Sequence, residues 1–137
     1  MASLVTNKGA LDRLGSWLTA TIKALLVTSS QALAKTDNFV SEMVANELGV
    51  AGYSRQTLAS KTLTEDDTNH RVVESCGNIA FGSCASGATI GACIFFRDTG
   101  NDATAPIWTE DDVANTATNG STITYVPHAN GVAYTQQ

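Results

Sequence analysis

Side chains able to take part in chemistry are few in this chain and lie far apart. His70 and His128 are its histidines, Cys76, Cys84 and Cys93 its cysteines, and the acids gather in two short runs, Glu65-Asp66-Asp67 and Glu110-Asp111-Asp112. A histidine beside a cysteine would make an activated thiolate. No sequence signature joins any of these five residues, and both histidines stand in loop-like surroundings, Thr68-Asn69-His70-Arg71 and Pro127-His128. The cysteine spacing fits neither a C-x-x-C redox pair nor a zinc site. The three therefore read as reduced, small, buried apolar residues, with a Cys76–Cys84 bridge as the other arrangement.

The acidic runs suit a hard cation, which takes carboxylate and carbonyl oxygens from turns. Neither run has the spacing of an EF-hand loop, and a solvated acidic turn is the plainer reading. Asp66, Asp67 and Asn69 are the first candidates for a structural ion. Paired acids for sugar hydrolysis call for aromatic platforms, whereas Trp17 and Trp108 fall at positions that look like core. No Gly-rich phosphate loop follows a strand, and Asn119-Gly120-Ser121 reads as a hairpin turn rather than a glycosylation site. No catalytic residue and no cofactor emerges, so the expectation is a protein that is not an enzyme.

The elements that must position these residues are mostly strands. At 137 residues the chain has the length of one domain with one core. Apolar residues make up 43% and charged residues only 15%, below the roughly 25% usual in soluble domains. Thr, Ser, Asn and Gly fill the polar positions, and Thr suits a pleated, half-buried surface. The net charge of −5 and eight singly scattered basic residues leave no patch for a phosphate backbone. Nucleic acid is not expected as a partner. Nor is a membrane, because apolar stretches such as residues 90–96 are too short to span one and no export signal opens the chain.

Residues 1–20 are expected to be an N-terminal arm or a short helix capped by Asn7, with Leu11, Leu14 and Leu18 at helical spacing and Trp17 alongside. Residues 21–137 are expected to form a single domain. It opens with a strand over 21–28, followed by a helix near 37–48, whose apolar stripe is Val40, Met43, Val44 and Leu48 and whose stop is Gly49. Strands are expected at 56–64, 71–74, 78–81, 89–96, 105–109, 121–127 and 132–135. Turn residues such as Ser86-Gly87, Asn119-Gly120 and Asn130-Gly131 separate them. The pattern predicts a mainly β fold, an antiparallel β-sandwich (Ig-like or jelly-roll-like) with one or two short helices in the N-terminal third.

Within this pattern, residues 21 to about 100 carry a set of ordered features. They are Ile22-Lys23-Ala24-Leu25-Leu26-Val27-Thr28-Ser29, Asn46-Glu47-Leu48-Gly49, Gly52-Tyr53, Arg55, Leu63-Thr64-Glu65-Asp66-Asp67-Thr68-Asn69-His70-Arg71 and Ile94-Phe95-Phe96-Arg97-Asp98-Thr99-Gly100. In order and spacing the stretch resembles a family of small virion structural proteins of tailed bacteriophages. After Trp108 the similarity is one of β texture alone. The resemblance implies a non-enzymatic capsid decoration (cement) protein on the outer head surface, with a tail, neck or baseplate component as the alternative. A carbohydrate-binding module with an aromatic ledge of Trp108, Tyr125 or Tyr134 is a third reading. The implied partners are the major capsid protein or other virion proteins and further copies of the chain, as a trimer. Leu11, Leu14, Trp17 and Leu18 are the contact candidates. The implied location is the virion, assembled in the host cytoplasm.

Overall fold

The computed structural model describes residues 3–6, 16–69 and 71–136. The fold is mainly β, and every strand pair among the described residues is antiparallel. The strands are β1 (Ser3–Val5), β2 (Ile22–Thr28), β3 (Gln56–Thr57), β4 (Thr62–Asp66), β5 (Arg71–Ser75), β6 (Ile79–Ser83), β7 (Thr89–Arg97), β8 (Ile107–Ala117), β9 (Thr122–Tyr125) and β10 (Ala133–Gln136). They form a five-stranded sheet in the order β1-β8-β7-β2-β3, a three-stranded sheet β10-β5-β4 and a two-stranded sheet β6-β9.

Strands β2 and β7 are apolar on both sides because both faces of the large sheet are covered. Leu26 is paired with Cys93 and Leu25 with Ile94, so alternate residues enter different cores. Ile22, Ala24, Leu26, Cys93 and Phe95 pack with Ile79, Phe81 and Tyr125 from the small sheet and with Trp17 and Trp108. On the opposite face Leu25, Val27, Ala92, Ile94 and Phe96 meet Val40, Met43, Ala105 and Ile107. Gly91 lets β7 pass the preceding turn, because a Cβ there would stand 2.6 Å from the Ser29 Cα.

The segment expected to be a helix near 37–48 is instead two 3-10 turns, Val40–Glu42 and Val44–Asn46. Beside its own 3-10 bonds, several backbone donors leave the segment: Val40 N–H goes to Ala105 O, Ser41 N–H to Asp102 O and Leu48 N–H to Leu26 O. A helix this short is marginal by itself, and the loop before β8 together with β2 offers these donors other acceptors. Val40 and Met43 still bury the apolar stripe, while Val44 is turned to solvent. Of the expected N-terminal helix, residues 7–15 lie outside the described residues, and residues 16–19 form a turn. Residues 3–5 are not a free arm, since β1 pairs with β8 and the adjoining Thr6 hydroxyl donates to Ile107 O at 2.6 Å.

Two strands depart furthest from expectation. The run 56–64 is split at Ser60, whose φ of 54° breaks the extended course between β3 and β4. The run 105–109 begins two residues later, at Ile107, and continues to Ala117 through the acidic residues 110–112.

Candidate functional site

The acidic run on β8 is a stretch of strand and not a solvated turn, and it carries the most unusual chemistry in the described residues. Glu110 and Asp111 are fully buried, and Asp112 is exposed. Pairing with β7 fixes their directions. Asp111 lies opposite Cys93, whose neighbours fill the first core, and Glu110 opposite Ile94, which faces the second.

Asp111 is satisfied by groups brought from β9 and the segment after it. The Tyr125 hydroxyl donates to Asp111 Oδ2, and His128 Nε2 lies 3.1 Å and 3.3 Å from the two carboxylate oxygens. His128 is therefore half-buried and paired, not a free loop histidine. Burial, with the Asp111 carboxylate beside it, drives the Tyr125 hydroxyl far above its usual range. The same two causes in the same order, with Cys76 added, push up the Cys93 thiol. An imidazole oriented by a carboxylate is one part of a hydrolytic triad, but its neighbours do not complete one. Cys93 is held as a thiol and not a thiolate. Thr116 donates to Ala114 O, and the Thr122 hydroxyl lies 3.4 Å from that of Ser83. The arrangement fastens the chain after β9 to β8.

Beside it opens a cleft of ≈ 430 Å³ with Ile90, Val113, Ile123, Tyr125, Val126 and His128 among its walls. The surrounding surface is unusual in charge: after Asp112 the chain contains no Asp, Glu, Lys or Arg. Ala114, Asn115, Thr116, Ala117, Thr122 and Thr124 are exposed there, and Val126 retains 62% of its accessible surface. The Asn119-Gly120 turn joins β8 to β9 but makes no hairpin, because β8 belongs to the large sheet and β9 pairs with β6.

A second polar cluster is built around Arg55. Its guanidinium bonds both Glu47 oxygens at 2.7 and 2.8 Å and both Asp102 oxygens at 2.8 and 3.0 Å, over the face of Phe96. The Tyr53 hydroxyl donates to Glu47 and accepts from Leu26 N–H. These bonds raise the Arg55 pKa and hold the Asp102 carboxyl below its ordinary range. The cluster joins three loops to β2 and is a clamp.

The structure separates the residues singled out from the sequence. Asp66 accepts from Asn69 N–H and Nδ2 and from Arg71 Nε at 2.9 Å, so a guanidinium occupies the place of a cation, and Asp67 is exposed. Among the described residues no three His, Cys, Asp or Glu side chains are grouped to hold a metal. Trp17 is in the core, tilted against Trp108 at 5.8 Å with its indole N–H on Thr62 O. Leu18 is exposed. Leu11, Leu14 and His70 lie outside the described residues. Trp108 and Tyr125 are buried and form no ledge for a sugar. Cys84 and Cys93 are buried and Cys76 half-buried, all three as free thiols, and burial lifts Cys76 to about 11.

The uncharged C-terminal stretch was present in the sequence as a plain count of residue types. The burial of Glu110 and Asp111 had no such signal, because three consecutive acids have the local signature of a turn. Compared with family models, curated proteins and solved structures, the chain matches none of them.

Proposed function

We propose that this chain is a non-enzymatic structural protein of a tailed-bacteriophage virion, acting as a capsid decoration protein on the outer head surface. We further propose that its sheets stack as an antiparallel β-sandwich, with the small sheet closing one face of the large one. The observation that carries the reading is the uncharged exposed ribbon formed by the end of β8 and by β9, beside an apolar cleft. Exposed charge keeps proteins soluble and apart. Interface cores are depleted in it. A ribbon of Thr, Ala and Asn next to an apolar opening suits adhesion to a neighbouring subunit through apolar contacts and hydrogen bonds. The ordered features between residues 21 and 100 that resemble small virion proteins support the same reading.

In this reading the partner is the major capsid protein, and copies of the chain associate around the shell's local symmetry axes as a trimer. Leu18, exposed near the N-terminus, is a second contact point.

The test is binding to purified shells that lack this protein. Thr124→Lys and Val126→Glu place charge on the ribbon at exposed positions and should abolish binding while leaving the melting temperature nearly unchanged. Normal binding by both variants would remove the ribbon from the interface. Copy number in intact particles tests the location: stoichiometry matching the shell subunits supports decoration, and a single ring's worth supports a neck or tail component.

A further inference from the structure

The Asp111 cluster leaves one hydrogen-bonding atom over, on a side chain that borders the apolar cleft. A carboxylate only accepts, so the His128 nitrogen beside it, Nε2, carries the hydrogen directed at Asp111 over 3.1 Å. In the neutral imidazole this fixes the tautomer and makes Nδ1 a lone-pair acceptor. Nδ1 makes no hydrogen bond among the described residues. His128 forms part of the cleft wall and keeps 35% of its side chain accessible.

The cleft opens where the large and the small sheet part. Val113 on β8 faces Ile123 and Val126, on and just after β9, and the buried Ile90 and Cys93 of β7 border it from the core. Its volume of ≈ 430 Å³ is well above the about 150 Å³ that encloses one benzene ring, so two fused rings have room. Apart from His128, every side chain around it is uncharged, and Asp111, which holds the imidazole, is fully buried. The site therefore offers apolar walls and one oriented acceptor, the usual make-up of a small-molecule site. A charged molecule would give up its hydration there without compensation.

We propose that this cleft is a binding site for a small, neutral, mainly apolar molecule that carries a hydroxyl, of the kind and size of an aromatic alcohol. The rings lie between Val113 and Ile123, and the hydroxyl donates to His128 Nδ1. Asp111 is a positioning residue: it sets which imidazole nitrogen bears the hydrogen without touching the ligand. The inference goes beyond the virion reading and stands or falls separately from it, because it needs neither a shell nor a second copy of the chain.

The probe is 2-naphthol, and its control is 2-methoxynaphthalene, which has the same rings and no hydroxyl hydrogen. NMR of the full chain at about pH 8, where an ordinary histidine is neutral, reads both halves of the proposal. In the free chain Nδ1 of His128 should resonate as an unprotonated ring nitrogen and Nε2 as a protonated one. Saturating 2-naphthol should shift the amides of Val113, Ile123 and Val126, leave those of β4 and β5 unmoved, and displace the Nδ1 resonance towards that of a hydrogen-bonded nitrogen. It should bind about three- to tenfold more tightly than the methyl ether, the worth of one neutral hydrogen bond. Ile123→Trp, which fills the cleft, should abolish binding of both probes, and His128→Phe should erase the preference between them. A hydrogen on Nδ1 in the free chain, amide shifts that fail to saturate or fall elsewhere, or equal affinities for the two probes overturn the proposal. If either variant fails to fold, the nitrogen shifts and the affinity ratio of the wild-type chain decide.

Discussion

Tyr125 donates its phenolic hydrogen to Asp111, a carboxylate that no solvent reaches. The bond links β9 in the small sheet to β8 in the large one, across the core in which the Tyr125 ring meets Phe95 edge-on at 5.4 Å. Tyr125→Phe preserves the ring and withdraws one donor from a buried charge. Chemical denaturation should show a loss of about 1.5–3 kcal/mol, the range for hydrogen bonds to charged groups. A loss below a few tenths would mean that the other partners of Asp111, His128 among them, satisfy it without the phenol.

Arg55 serves Glu47 and Asp102 together through its forked geometry. A lysine presents a single ammonium and cannot make both bidentate contacts. Arg55→Lys should lower stability by about 1–2 kcal/mol, discounted for the partial exposure of the cluster. In Asp102→Asn, the further effect of Arg55→Lys should be smaller, and a double-mutant cycle measures that coupling.

Gly52 and Gly82 have φ of 88° and 95° and lie with their backbones in mutual contact. A Cβ on Gly52 would overlap the Ser83 carbonyl, and one on Gly82 the Gly52 carbonyl. Gly52→Ala should therefore cost more than about 2 kcal/mol, with both steric overlap and a left-handed backbone against it. By contrast, Gly100→Ala has open space at its Cβ and only the positive φ to resist it, so it should cost less.

Stability should decline on both sides of neutrality, for opposite reasons. Asp98 and Asp102 are held below their ordinary 3.8, by hydrogen bonds from Lys23 and Arg55 respectively. The folded state binds their protons less readily than the unfolded chain, so their contribution is present above about pH 4 and disappears as pH falls through the folded values. Glu110 is raised from 4.5 to about 9. Its contribution is complete below the unfolded value and is lost as pH rises through about 9. Melting temperatures measured from pH 2 to 11 should decline at both ends, and Glu110→Gln should flatten the alkaline side alone.

Trp17 and Leu18 are adjacent in sequence but opposite in role. Trp17→Ala removes a core side chain packed on Trp108 and should cost about 3–5 kcal/mol. Leu18→Ala should leave stability within about 0.5 kcal/mol. If Leu18 contacts the shell, Leu18→Ala weakens particle binding without a change in melting temperature.

The doubly apolar run of β7 and the turn residues around Gly100 and Gly120 made much of the β architecture legible in advance, because burial on both faces and positive φ each select particular residue types. Val40, Met43 and Leu48 were correctly marked as apolar contacts, but their helical spacing could not reveal that Ala105, Asp102 and Leu26 would take over the backbone bonds. Local pattern specifies which side chains seek the core, and the conformation there depends on acceptors distant in sequence. The acidic site was hidden for a related reason. Asp111 is made tolerable in the core by groups such as Tyr125 and His128 that reach it from a distance, and no window around residue 111 contains that information.

The pairing of β1 with β8 has a consequence for how the molecule comes into being. Thr6 and Ile107, joined by a hydrogen bond, are 101 positions apart, so β1 has no partner until the distant β8 has been synthesised. Assembly of the large sheet is a late event, and the high sequence separation of its contacts favours slow folding. Until β8 arrives, the long apolar strands β2 and β7 remain open to association with other nascent chains, so expression at lower temperature should raise the yield of correctly folded material.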